Sequence, residues 1–216
     1  MATDNKSDLS SSYDEVAEEY VRRIAGELEH KPFDRELLDR YAAMFDANDT
    51  VCDMGCGPAH VARYLHERRV QVIGIDLSAE MVQQARRLNP ELDIHQGDML
   101  SLDVPDESWA GIVAFYSLIH IPRASVARAL SELVRCLRPG GRLLMSFHIG
   151  DEVMHLEELW GHPVKMDFIF FRTDEMLGYL SEAGFDVEET LERDPYPDVE
   201  YPSRRAYILA FKRLRT

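Results

Sequence analysis

The segment Val51-Cys52-Asp53-Met54-Gly55-Cys56-Gly57-Pro58-Ala59 closes a short apolar run and opens a helical one. Thr50 to Met54 reads as a strand, and Val61, Ala62 and Leu65 form the apolar face of a helix. Between them, Gly55 and Gly57 are free to take backbone angles that a side chain forbids, and without Cβ atoms they let a ligand approach the chain. The amides opening the next helix suit an anion or a carboxylate. A purely structural tight turn is the competing reading of two glycines. Asp76 weighs against it, ending the next apolar run 23 residues after Asp53, the spacing at which an acid grips ribose hydroxyls in nucleotide-binding sheets. A pyrophosphate site fits less well, because the third glycine is missing and Asp53 would repel the phosphates. A ligand with a positive group would be welcomed there.

Outward from this turn, strand and helix signals alternate. Strands are expected over Val70–Ile75, Leu92–His95 and Trp109–Ser117, and over Arg142–His148 after the turn Arg138-Pro139-Gly140-Gly141. Ser78 suits the cap of one intervening helix, which contains Met81, Val82 and Ala85, and Ala124–Leu137 forms another. Such alternation implies right-handed crossovers and a mainly parallel α/β sheet with helices on both faces. Upstream, Tyr13, Val16, Ala17, Tyr20, Val21 and Ile24 share a helical face, and Pro32 starts a second helix bearing Leu37, Leu38, Tyr41 and Phe45. Residues 1–12, rich in Ser and Asp, are expected to be flexible, and 13–216 to form one domain. Residues 149–172 break the rhythm with aromatics, His and Met. They read as an insertion over the sheet edge, either a substrate lid or a second small core. Thr173 caps a helix ending at Gly184, Phe185–Glu189 is a strand, Asp194–Pro202 a Pro-rich loop, and Arg205–Lys212 the last strand.

Composition narrows the function. The 216 residues carry Lys+Arg 24 and Asp+Glu 39, a net charge of −15, with 45% hydrophobic residues. The apolar fraction supports a packed core. The acidic balance argues against nucleic acid, whose phosphates need a basic footprint, and against an anionic membrane surface. No run is long enough to span a bilayer, and the polar start lacks the apolar stretch of a signal peptide. Cys52, Cys56 and Cys136, an odd number without a paired framework, read as free thiols. The expected setting is cytoplasmic, as a monomer or homodimer, with a small molecule as partner.

An amino-acid-bearing nucleoside, with an ammonium, a carboxylate, a ribose diol and a base, suits the features around Asp53 and Asp76. At these residues the chain resembles the class I S-adenosylmethionine-dependent methyltransferases of the small-molecule type. Asp53-Met54-Gly55-Cys56-Gly57-Pro58-Ala59 is similar to their first motif, departing from it where Ala59 replaces a glycine. Alanine there is expected to affect the packing of helix on turn more than the ligand gap. Asp76 matches the ribose-binding acid, with Leu77 and Met81 following it. Gly97-Asp98-Met99 resembles the adenine motif, where the acid accepts the amino group and its neighbour packs on the ring. Phe115-Tyr116-Ser117 matches the end of the fourth strand, and Leu137-Arg138-Pro139-Gly140-Gly141 the turn before the fifth. The resemblance implies a Rossmann-like three-layer sandwich with seven strands, the last antiparallel. It also implies an N-terminal helical lid over 13–46, in which Tyr13 and Tyr20 cover the methionyl part of the cofactor. The cofactor contacts so implied are Tyr13, Tyr20, Asp53, Gly55, Cys56, Gly57, Asp76, Leu77, Met81, Gly97, Asp98, Met99, Phe115 and Ser117. Lys31 either reaches the cofactor carboxylate or is a solvated surface lysine.

Methyl transfer from a sulfonium is an in-line displacement in which alignment and exclusion of water carry most of the acceleration. A base is needed only when the nucleophile arrives protonated. His120, on the loop leaving the fourth strand, and His148, ending the fifth, are the candidates, each alternatively a structural imidazole. His155, His162 and Trp160 line a substrate cavity or are structural. No His, Cys and Asp set has metal-ligand spacing. Arg204 and Arg205 either meet an acidic acceptor or pair with Glu200 or Glu192. The function expected is methyl transfer to a small organic acceptor. An idle S-adenosylmethionine-binding protein and a nucleotide-dependent oxidoreductase are the alternatives.

Overall fold

In the computed structural model, which describes residues 2–214, α1 (Ala2–Ile24) and α2 (Pro32–Ala42) precede a run of alternating elements. These are β1 (Thr50–Met54), α3 (His60–His66), β2 (Gln71–Asp76), α4 (Ala79–Leu88), β3 (Asp93–Gln96), β4 (Trp109–Phe115), α5 (Arg123–Cys136) and β5 (Leu137–His148). A hairpin of β6 (Val153–Leu159) and β7 (His162–Ile169) follows, then α6 (Thr173–Ala183), β8 (Phe185–Arg193) and β9 (Arg205–Lys212). Seven strands form one sheet in the order β3-β2-β1-β4-β5-β9-β8, in which β9 alone runs against its neighbours. The strand order reverses direction between β1 and β4. In doubly wound sheets that crevice is where ligands bind.

Each face of the sheet carries its own apolar layer. Leu38, Tyr41, Val61, Leu65, Val82 and Ala85 cover one face from α2, α3 and α4. Val126, Leu130, Leu133, Met176 and Leu180 cover the other from α5 and α6. Burial of these side chains is the main driving force for the three-layer arrangement. Tyr41 also donates toward the carbonyls of Ile112 and Arg142 at 2.8 and 2.9 Å, tying α2 to β4 and β5.

Four segments depart from the sequence reading. The flexible start expected over residues 1–12 is instead helical from Ala2 onward, while Met1, like Arg215 and Thr216 at the other end, lies outside the described residues. Long-range contacts hold this poor helix former: Ser12 Oγ accepts from Lys165 N at 2.8 Å, and Ser10 Oγ donates to Leu77 O at 3.3 Å. The turn Arg138–Gly141 is an irregularity within β5, where the pairing steps from Trp109–Leu137 to Gly111–Arg142. Thr173 does not cap α6; its hydroxyl donates to Glu192 Oε1 at 2.6 Å. Strand β8 continues to Arg193, four residues past its expected end at Glu189. Most of the insertion 149–172 folds as the β6–β7 hairpin, whose Val164 and Met166 pack on Val16 of α1 in a cluster shared with that helix. Among the described residues, no helix is long and apolar enough to cross a membrane.

Helix α1 docks on α4 through a polar hook. Asp14 Oδ1 accepts from the Ser78 hydroxyl at 2.5 Å and from Glu80 N at 3.1 Å, and Ser78 Oγ in turn accepts from Met81 N at 3.0 Å. Asp14 therefore satisfies donors at the N-terminus of α4 that its own chain segment leaves free. We expect Asp14→Ala to lower stability by about 1 kcal/mol in urea titration, the usual cost of losing a helix cap. A change within a few tenths of that scale's zero would mean that the hook does not anchor α1.

Candidate active site

The turn after β1 is held by the strand beside it. Gly55 N and Cys56 N both donate to Ile75 O, at 2.7 and 3.0 Å, and Gly57 N donates to the Asp76 carboxylate at 2.8 Å. Gly55 and Gly57 have φ of +73° and +51°, and a Cβ on Gly55 would stand 2.4 Å from Ser117 Cβ. Ala59 sits in the left-handed region at φ +61°, so the missing third glycine is felt as backbone strain rather than as a change of packing. With no side-chain cap from Ala59, α3 is tied by Asp53, whose Oδ2 accepts from Ala62 N at 2.9 Å. Burial pushes the Asp53 carboxyl up to about 7. A positive ligand group beside it would reverse that shift.

All of the cofactor and catalytic candidates line one cavity of about 660 Å³ at the carboxyl ends of the strands. Asp76 and the Gly97-Asp98-Met99 segment sit toward the β3 edge, Gly55, Cys56, Gly57, Phe115 and Ser117 at the centre, and His148 toward β9. Tyr13, Tyr20 and Trp160 reach in from α1 and the hairpin turn, the two rings of Tyr20 and Trp160 lying 5.9 Å apart. Leu77 and Met81 line it from the start of α4. His155 and His162 do not join it; they are surface residues paired with Asp167 and Glu15. Among the described residues no group of three His, Cys, Asp or Glu is gathered for a metal.

The two histidines differ in what they have free. His120 Nδ1 lies 2.9 Å from Asp167 O, a carbonyl that only accepts, so Nδ1 carries the proton. Its Nε2 is then the acceptor for the Tyr13 hydroxyl at 2.7 Å. His148 Nδ1 meets Ser203 Oγ at 2.7 Å, while its ring stacks on Phe170 at 5.1 Å. Burial lowers both pKa values to about 4, with Arg205 and Lys31 adding to the effect at His148, so both rings are neutral at physiological pH.

Sequence reasoning missed a polar cluster beside His148. Lys31, read as either a cofactor ligand or a surface lysine, is 6% exposed and lines the cavity, 2.8 Å from Glu27 and 3.7 Å from Glu200. Arg205 does pair with Glu200, at 3.2 Å, and Arg204 with Glu192, at 3.0 Å. Arg193 joins Glu200 to Asp34. The Arg204 and Arg205 pairs are among the sequence expectations; what no local spacing signals is their meeting with Lys31, just before α2, and Asp34 of α2. Glu27 and His60, 3.1 Å apart, complete the wall near Gly57.

The geometry fits S-adenosylmethionine at several points. Each Asp76 oxygen already accepts one backbone N–H, from Gly57 or Ser78, and keeps a second lone pair for a ribose hydroxyl. Ser117 Oγ is buried without a partner at the centre of the cavity. Asp98 is less free than the sequence suggests, since its Oδ2 pairs with Lys6 at 2.7 Å and its Oδ1 accepts from Leu100 N at 2.9 Å. An adenine amino group there would share or displace Lys6.

Residues 51–141 match the methyltransferase-domain family. Over 155 residues the chain is 31% identical to a probable S-adenosylmethionine-dependent methyltransferase of Mycolicibacterium smegmatis, covering 67% of this chain and 55% of that one. It is 28% identical to a malonyl-[acyl-carrier protein] O-methyltransferase of Enterobacter lignolyticus, covering 67% and 58%. The chain thus spans little more than half the length of these curated relatives. A solved S-adenosylmethionine-dependent methyltransferase of Methanosarcina mazei shares the fold with a TM-score of 0.72 at 17% identity, covering 79% of this chain and 95% of that one. The chain belongs to the class I S-adenosylmethionine-dependent methyltransferases, and S-adenosylmethionine is the cofactor of that family.

The depressed histidines make a pH prediction. Between about pH 6.5 and 4 the unfolded chain binds protons that folded His120 refuses, so its stabilising contribution is present above 6.5 and is lost as pH falls toward 4. The stability deficit of His120→Asn, measured by urea titration, should be largest at neutral pH and shrink steadily on acidification. A deficit independent of pH would show that His120 is not held neutral.

Proposed function

We propose that this protein transfers the methyl group of S-adenosylmethionine to a small organic molecule. The observation that carries the reading is the single cavity, which runs from the glycine turn and Asp76 to the base and cations around His148. Bound cofactor would supply a methyl group on a positively charged sulfur. Asp76 would hold the ribose, Asp98 and Met99 the adenine, and Phe115 and Ser117 the boundary with the acceptor. Asp53 would face the ammonium from below the turn.

The protein's own contribution is orientation and the removal of water. Helix α1 and the β6–β7 hairpin roof the cavity with Leu9, Tyr13, Tyr20, Leu156 and Phe168, which supports a lid role for both. Tyr13 donates to His120, whose Nδ1 is bonded to Asp167 O of the hairpin, so one imidazole links both parts of the roof. His148 is the better-placed base for a hydroxyl acceptor, because Ser203 engages only its Nδ1, whereas both nitrogens of His120 have partners. We assign His148 the base role and His120 a positioning role. Relatives named for methylating an oxygen of a malonyl group support an oxygen acceptor here.

The test is transfer of labelled methyl from S-adenosylmethionine to a panel of phenols and carboxylic acids, with release of S-adenosylhomocysteine. Turnover is expected, and cofactor binding without turnover of any acceptor would support an idle binding protein instead. Asp76→Ala should weaken S-adenosylhomocysteine binding by about 1–3 kcal/mol, the cost of leaving buried hydroxyls unpaired. His148→Asn should lower kcat by about 100-fold with a phenol and leave cofactor affinity unchanged. Because His148 stays neutral down to about pH 4, the acid limb of kcat should fall well below pH 6.5. An acid limb at 6.5 would contradict the base assignment.

A further inference from the structure

Two cations share one wall of the cavity in a chain whose net charge is −15. Lys31 Nζ and Arg205 Nε lie 3.7 and 3.2 Å from the same oxygen, Glu200 Oε1. Both also address the Tyr116 ring, at 5.5 Å for Lys31 Nζ and 6.0 Å for Arg205 Cζ. Two carboxylates stand on the same wall, Glu27, 2.8 Å from Lys31, and Glu200, and Glu200 is engaged mainly elsewhere. Its fully buried carboxylate takes two hydrogen bonds from Arg193, at 2.7 and 2.9 Å, and one from Tyr196 N at 2.8 Å. Arg205, 3% exposed, directs its terminal nitrogens to Ser203 O and Tyr201 O. Its Nε, though close to Glu200, forms no aligned hydrogen bond and is left unpartnered. Lys31 has only Glu27 as a hydrogen-bonding partner and keeps donors for another acceptor.

Next to this pair stands an aromatic wall. The rings of His148 and Phe170 stack at 5.1 Å and 27°, and the Tyr116 ring lies 5.1 Å from His148, tilted by 34°. Tyr201, half exposed, closes the mouth with its ring 6.1 Å from His148 and 6.2 Å from Phe170. Flat apolar surface beside paired cations is the recognition chemistry of an arene bearing an anion.

We propose that this end of the cavity is the acceptor subsite and that it takes an aromatic carboxylate, with the acid group at Lys31 and Arg205 and the ring against His148 and Phe170. The assignment deepens the methyl-transfer reading and rests on it. It explains why a strongly acidic protein keeps these cations at a cavity wall, where each loses much of its hydration. An anionic ligand recovers that loss, and a neutral isostere does not.

The experiment titrates protein saturated with S-adenosylhomocysteine with 4-hydroxybenzoate and, separately, with 4-hydroxybenzamide. The two probes differ in charge at one group and share ring and hydroxyl. The acid is expected to bind about tenfold or more tightly than the amide, the scale of a hydrogen bond to a charged group. Arg205→Met should bring that ratio close to unity while affinity for S-adenosylhomocysteine stays within about twofold. Since Arg205 also holds two loop carbonyls, Lys31→Gln is the second variant; Lys31 starts α2 through its backbone alone, and the ratio should fall there too. An acid that does not bind, or binds no more tightly than the amide, overturns the subsite. So does a ratio that neither variant changes, or a Lys31→Gln variant that loses S-adenosylhomocysteine affinity and keeps the ratio. Failure of the unaltered protein to bind S-adenosylhomocysteine would remove the cofactor reading itself.

Discussion

Three hydrogen bonds donated by backbone amides to the end of β2 set the position of everything else in the site. The amides of Gly55 and Cys56 converge on the Ile75 carbonyl, and the Gly57 amide reaches the carboxylate of the next residue, Asp76. The chain leaving β1 can make this turn only with positive φ at both glycines and with no side chain on Gly55 to meet Ser117. One network therefore fixes Asp76, the glycine turn and the end of β4 relative to each other. The cost falls on Ala59, which holds a left-handed conformation, and on Asp53, which is buried to tie the first turn of α3.

A second constraint is electrostatic. The roof of the cavity is attached by polar contacts at separate points: Asp14 to the start of α4, Tyr13 to His120, and Ser12 to the hairpin backbone. Each needs a particular protonation state or donor direction, and neutral His120 serves two partners at once, the Tyr13 hydroxyl and Asp167 O. At the other end, Arg193, Glu200, Asp34 and Tyr207 form a buried network that holds the loop before β9 against α2. Buried charges of this kind are costly unless fully paired. Lys31 and Arg205 line the cavity beside this network, together with Glu27 and Glu200.

The core of the fold was legible because its signals are local. The β1 turn, the Ser78 cap, Pro32 at the start of α2 and the apolar run of β9 each declare themselves within a few residues. The β6–β7 hairpin did not. Its two-residue turn is Trp160-Gly161, with φ of +53° and +87°, and tryptophan hides a turn that Asn-Gly would have announced. The N-terminal part of α1 was illegible for the opposite reason: Ser and Asp are weak helix formers, and contacts from residues over 60 positions away hold them. The cavity half carried by motifs was readable. Around His148 the pairing of Arg205 with Glu200 was readable, but its meeting with Lys31 and Asp34 was not, since those residues lie more than 150 positions away.

The central claim is that this cavity takes a nucleoside with a positive amino-acid group rather than a dinucleotide. Calorimetric titration with S-adenosylhomocysteine and with NADH at pH 7, in buffers of different ionisation enthalpy, addresses it most directly. The account predicts binding of S-adenosylhomocysteine alone, with a Kd on the order of micromolar. It also predicts proton release, because Asp53, pushed up to about 7 by burial, would ionise beside the ligand ammonium. Binding of NADH, or silence toward both ligands, would contradict it.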